Sequence, residues 1–199
     1  MTKLIFASNN QHKVKEMRSI LGNFDIITLA EAGIDIDIPE PHDTLEANAS
    51  EKSSVIYKMT NMDCFSEDTG LEVKSLKGEP GVKSARYAGE NRSFSANVMK
   101  LLANLEGKAD RSAQFRTVIS LLFDGIEYQF EGICKGTIIA YTRGEGGFGY
   151  DPIFMPDGSD STFAEMDIAQ KNQFSHRKKA IEKMVNFLSC SPKKTILTN

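Results

Sequence analysis

The stretch FRTVISLLFDGIEYQFEG, residues 115–132, decides the fold class. Phe115 to Phe123 is a long run rich in β-branched and aromatic side chains, which favour strands. Asp124-Gly125 follows as a two-residue turn signal. Beyond it Ile126, Tyr128 and Phe130 alternate with Glu127, Gln129 and Glu131, the period of a half-buried strand. The reading is an antiparallel hairpin.

Upstream the pattern mixes helices and shorter strands. Leu4 to Ala7 is an apolar run that ends in the polar Ser8, Asn9 and Asn10, as a buried strand entering a loop does. A helix follows with Val14, Met17 and Leu21 on one face, an asparagine cap at its start, and Gly22 and Asn23 at its end. Phe24 to Leu29 reads as a second strand, Ile34 to Asp43 as an acidic loop, and Thr44 to about Met59 as a helix. Cys64 to Ser66 is expected to be a short strand that delivers Glu67 and Asp68 at its end. Gly78 to Gly81 is a Pro/Gly loop. In the helix from Ser93 to Leu105, Phe94, Val98, Leu101, Leu102 and Leu105 share one apolar face. Downstream lie a glycine-rich loop, Gly144 to Pro152, and a last helix from near Ser175 with Ile181, Met184, Val185 and Leu188 as its core stripe. The expectation is an α/β protein with long antiparallel strands in a mixed sheet. Its 199 residues show no repeat or clean linker and fit one domain, with room for two lobes.

Composition narrows the function classes. A hydrophobic share of 40% suffices for a packed core, and the net charge of −3 gives no basic excess for a polynucleotide partner. Cys64, Cys134 and Cys190 have no zinc-site spacing and suit a reducing cytoplasm. The sequence has no signal-peptide pattern and no apolar run near the ~20 residues that span a bilayer. We therefore expect a soluble, cytoplasmic protein.

Several segments are candidates for chemistry. GEGGFG, residues 144–149, matches a dinucleotide pattern, but Tyr150, Asp151 and Pro152 follow it instead of a helix, so the Rossmann reading fails. SNNQHK, residues 8–13, sits at a strand-to-helix junction, where free N–H groups and the helix dipole favour an anion. Lys13 opposes that dipole, as a side chain facing an anion would; the alternative is an ordinary cap with a solvated lysine. In FSEDTG, residues 65–70, Glu67 and Asp68 are hard oxygen donors that suit Mg²⁺, or a solvated acidic turn. Strand geometry points them to opposite faces unless the strand has ended. Glu40, in its acidic loop, could add a carboxylate. Phe148 and Tyr150 could stack on a base with Asp151 accepting from it, or cover the core. In SHRKKA, residues 175–180, His176 and Arg177 place positive charge in a first helical turn, with Lys171 just upstream. The bland reading there is a basic helix surface, which we accept for Lys178 and Lys179.

Taken together and in order, SNNQHKVKE, EANASEK, SEDTGLEV, PGVKSARYAG, GGFGYDPIF and SHRKKA resemble the inosine triphosphate pyrophosphatase family, the XTP/dITP diphosphatases. The resemblance implies an elongated, two-lobed α/β fold with a long mixed sheet flanked by helices and a central substrate cleft. It also implies an Mg²⁺-dependent homodimer that cleaves deaminated purine nucleoside triphosphates to monophosphate and pyrophosphate, clearing them from the nucleotide pool. Carried over residue by residue, Ser8, Asn9, Asn10, Gln11, His12 and Lys13 would hold the triphosphate with Lys52. Asp68 would be general base and metal ligand, Glu40 a metal ligand with Glu67 as a further candidate, and Thr69 a substrate contact. Phe148, Gly149, Tyr150, Asp151, Lys171, His176 and Arg177 would form the base-recognition set, with His176 or Arg177 donating to the purine 6-oxygen. Lys83 departs from the pattern, where an aromatic residue is expected at the rim or dimer contact. The rival readings are a nucleotide hydrolase of another base preference and a non-catalytic nucleotide sensor; the sensor would predict loss of the carboxylates.

Overall fold

The structure is a computed structural model that describes residues 3–22 and 24–190. Strands β1 (Lys3–Phe6), β2 (Asp25–Thr28), β3 (Cys64–Val73), β4 (Pro80–Gly81), β5 (Ser112–Phe123), β6 (Ile126–Ile138) and β7 (Phe154–Pro156) form one sheet. Its order is β2-β1-β3-β5-β6-β7, with β4 pairing on β3. β1 runs parallel to β2 and β3, and the remaining pairs are antiparallel. The mixed sheet expected from the sequence is thus present. Asp124 (φ 51°) and Gly125 (φ 78°) both occupy the left-handed region that a two-residue hairpin turn needs. Tyr128 and Phe130 are half-buried as the alternation predicts and pack on Phe187, but Ile126, next to the turn at the hairpin tip, is 55% exposed.

The helices are α1 (Gln11–Ile20), α2 (Leu45–Thr60), α3 (Phe94–Asn104), α4 (Ile168–Phe174) and α5 (His176–Cys190). Caps explain their starts. Asn10 accepts from the N–H groups of His12 and Lys13, Thr44 from Ala47, and Ser93 from Ala96. Helix α1 ends on Leu21, whose N–H bonds Met17; Asn23 lies outside the described residues. Helix α4, which the sequence reading did not separate, is set by a capping box between Asp167 and Gln170. Among the described residues no helix is long and apolar enough to cross a membrane.

Packing covers both sheet faces. On one, Phe6, Phe65, Ile119 and Leu121 meet Met17 of α1 and Ile181 and Met184 of α5. On the other, Ile5, Cys64 and Leu122 meet Ile56 of α2, and Val118 meets Leu45 and Ala49. Toward the far ends of the long strands a separate cluster joins Leu71, Val73, Phe115 and Ile138 to Leu101 of α3 and Phe154. Phe94, expected in the apolar stripe of α3, is 43% exposed instead. It opens the helix beside its cap and faces a cleft.

The stretch 78–81, expected as a loop, includes the two-residue strand β4, because Pro80 and Gly81 pair with Glu72 and Leu71. β3 does not stop at Ser66; its register against β5 is unbroken from Cys64↔Leu122 to Val73↔Ala113. Glu67 and Asp68 therefore lie within the strand. Their charges are tolerated because cations reach each of them there.

Candidate active site

The cleft exists because β1 is short. β1 pairs with β3 only at Cys64 and Phe65, and β4 takes up that edge again at Leu71 and Glu72. The edge from Ser66 to Gly70 is left without a strand partner on that side. Side chains of both sheet faces reach this gap, so Glu67 and Asp68 point to opposite faces yet line one pocket of about 450 Å³.

At one end stands the face covered by α2. The Lys52 ammonium, on α2, lies 2.8 Å from Glu40 Oε1 and 3.5 Å from Asp68 Oδ1. Burial works against its charge, but Asp68 and Glu40 outweigh burial and raise its pKa. Glu40 comes from the irregular loop and is tethered by Arg86, 3.6 Å from its Oε2. Asp68 Oδ1 also accepts from the Thr69 N–H at 3.0 Å, while its Oδ2 is buried without a hydrogen-bond partner. Burial pushes the Asp68 carboxyl up, against the pull of Lys52 and Lys13. Ser8, Asn9, Asn10 and Lys13, from the β1–α1 junction, complete this end.

On the other face a buried ionic network closes the cleft. Arg177, 1% exposed, donates from Nε to Glu67 Oε2 at 2.7 Å and from Nη2 to Glu67 Oε1 at 3.0 Å. Its Nη1 donates to Glu16, and Lys13 adds a 3.0 Å bridge to Glu67. Burial favours the neutral form of Glu67, yet Arg177 and Lys13 hold its carboxyl far below the usual range. Lys171 bridges Glu16 at 2.9 Å and Asp151 at 2.6 Å. Asp151 also accepts the Phe148 N–H at 2.9 Å, which fixes the end of the glycine loop. His176 is buried with its ring 4.8 Å from that of Phe115. Burial first, then Arg177 and Lys171, lower its pKa well below the ordinary value, so the imidazole is neutral; its Nδ1 has no partner.

A protein-family model matches residues 4–187, and it describes the Ham1 family. The chain belongs to the Ham1 family. It is 50% identical over 193 residues to a dITP/XTP pyrophosphatase of Porphyromonas gingivalis, covering 96% of this chain and 100% of that one. It is 47% identical over 190 residues to a dITP/XTP pyrophosphatase of Flavobacterium johnsoniae, covering 95% and 99%. Among solved structures, the Staphylococcus aureus Ham1 protein superimposes with a TM-score of 0.86 at 43% identity, covering 94% of this chain and 98% of that one. A HAM1 protein from Coxiella burnetii gives 0.88 at 35% identity, covering 96% and 100%.

Most residues expected to form the Ham1 site do meet in the cleft, including Thr69, Phe148 and Gly149. Gln11 and His12 do not line it. Tyr150 is 3% exposed, and its hydroxyl donates to the Ser84 carbonyl at 2.9 Å, so its ring is part of the core and of the cleft wall together. Sequence reading missed Glu16, Arg86 and Phe94. Glu16 carried a usable signal, because it lies three residues after Lys13 and so shares its helix face. Phe94 had none, since an apolar residue at the start of an amphipathic helix reads as core.

Proposed function

We propose that this chain hydrolyses deaminated purine nucleoside triphosphates (ITP, dITP and XTP) to the monophosphate and pyrophosphate. The observation that carries the reading is one continuous cleft with two unlike ends. A pair of carboxylates among lysines and a helix N-terminus suits a triphosphate, while an aromatic face beside a neutral histidine suits a purine. The names of the Ham1 relatives point the same way, and the retained carboxylates argue against a non-catalytic sensor.

The residues present fit a magnesium ion. Asp68 Oδ2 is a buried oxygen in need of a partner, and Glu40 lies on the same lysine. Among the described residues no group of three or more His, Cys, Asp or Glu side chains forms a cage. Asp68 and Glu40 offer hard carboxylate oxygens, the donor type that Mg²⁺ takes. Glu40 and Asp68 would hold it; Glu67, its oxygens engaged by Arg177 and Lys13, belongs to the ionic network instead. When bound, the ion supplies counter-charge to the phosphates.

In the reaction, Asp68 takes the proton of a water attacking the α-phosphorus, the bond to the α–β bridging oxygen breaks, and pyrophosphate leaves. Lys13, Lys52 and the α1 N–H groups stabilise the charge that develops. Neutral His176 donates to the purine 6-oxygen, whereas the nitrogens of Arg177 are committed to Glu67, Glu16 and Thr69 and orient the pocket floor. An adenine amino group would meet a donor there and leave it unpaired. We read the chain as one domain whose two lobes flank the cleft, and as a homodimer of the cytoplasm. Buried Cys64 and Cys134, pushed by burial up to about 12 and about 11, are thiols that suit a reducing compartment.

The test is incubation with Mg²⁺ and, separately, ITP, XTP, GTP and ATP, with product identification and a chelator control. Monophosphate and pyrophosphate from ITP and XTP, abolished by the chelator, are expected. Diphosphate and phosphate, or equal turnover of ATP, would refute the assignment.

A further inference from the structure

The aromatic end of the cleft is built from three segments that are distant in sequence. Phe148 stands on the glycine loop, between Gly147 and Gly149, both at positive φ. The His12 ring stacks on it, centroids 5.0 Å apart and planes 19° from parallel. The Phe94 ring closes the edge, 6.1 Å from Phe148 and 6.3 Å from His12.

The two faces of Phe148 are not equivalent. Phe148 and Phe94 line the cleft and His12 does not. The cations that approach the ring, Lys171 at 5.2 Å and Arg177 at 5.8 Å, are cleft residues. His12 therefore covers one face of Phe148, and on the cleft side a base would share the ring with Lys171 and Arg177. The His12 backbone is held by the α1 cap, because its N–H donates to Asn10 Oδ1 at 3.0 Å. Asp151 holds the Phe148 backbone but not its ring.

We propose that His12 is a positioning residue for the purine: it backs Phe148 so that the ring is already oriented when the base stacks on its cleft face. This rests on the nucleotide reading given above, and it moves His12 from the phosphate end, where the sequence alone placed it, to the base end. The physical gain is preorganisation. A ring held from behind loses less rotamer freedom on binding, and the base joins an existing stack.

The experiment compares wild type, His12→Ala and His12→Phe by ITP hydrolysis and by inhibition with tripolyphosphate, a probe with phosphates and no base. His12→Ala should raise KM for ITP about three- to tenfold with little change in kcat. His12→Phe should restore it, and tripolyphosphate inhibition should be equal in all three. His12 is exposed, so the variants should keep the wild-type melting temperature. An unchanged KM in His12→Ala, or no restoration by Phe, overturns the proposal. So does an equal loss of tripolyphosphate affinity, which would assign His12 to the anion site. Wild-type protein that does not hydrolyse ITP overturns both this and the nucleotide reading.

Discussion

Replacing Arg177 by methionine removes the charge at the centre of the buried network while keeping most of the side-chain length. Glu67 loses two hydrogen bonds and Glu16 loses one, although Lys13 stays 3.0 Å from Glu67 and Lys171 stays 2.9 Å from Glu16. Breaking a buried pair by deleting one partner costs about 3–5 kcal/mol, and the surviving lysines put this case near about 3. For a chain of this length that lowers the melting temperature by roughly 6–12 °C. Thermal and urea unfolding at one protein concentration read it directly. The pH dependence carries a sign. Because Arg177 and Lys13 outweigh burial and depress the Glu67 pKa in the folded protein, its stabilisation is present above the ordinary carboxylate value of 4.5 and is lost as pH falls below it. Arg177→Met forfeits that contribution in advance and leaves burial to favour the protonated acid. The gap between wild type and variant should therefore narrow as the pH is lowered below about 4.5. Adding Glu67→Gln to Arg177→Met should recover part of the loss. A melting shift under about 2 °C, or a gap that stays constant with pH, would refute the view that the network is held by charge pairing.

Asp68→Asn should lower ITP turnover by about 10²–10⁴-fold, the usual contribution of a general base. Its unfolding midpoint should be equal or higher, because burial already disfavours the Asp68 charge; near-normal turnover would remove Asp68 from the role of base. Gly70→Ala should destabilise the protein by about 1–3 kcal/mol in urea unfolding. The added Cβ would sit 2.7 Å from the Gly81 carbonyl oxygen and 2.9 Å from its carbon, both backbone atoms where β4 pairs with β3. Tolerance of alanine there would mean that β4 is not held against β3.

Periodic and local features were readable in the chain. The Asp124-Gly125 hairpin, the Asn10, Thr44 and Ser93 caps and the stripes of α1 and α5 each depend on a few neighbouring residues, so a window of sequence contains their cause. Ser8, Asn9, Asn10 and Lys13 share one strand-to-helix junction, so their common place on the cleft wall has a local cause. Non-local energetics decided the rest. Whether β3 ends at Ser66 depends on β5, whose register carries the strand on to Val73, and on Arg177, more than a hundred residues away, to neutralise Glu67. The strand edge that opens the cleft follows from β1 ending at Phe6, a matter of which partners reach that edge. Glu16 and Phe94 join the cleft only in the fold, Glu16 by pairing with Arg177 and Lys171 and Phe94 by reaching the Phe148 ring. Their roles arise where α1, α3, α5 and the glycine loop converge, because burial and charge pairing depend on neighbours in space, and proximity along the chain does not encode them.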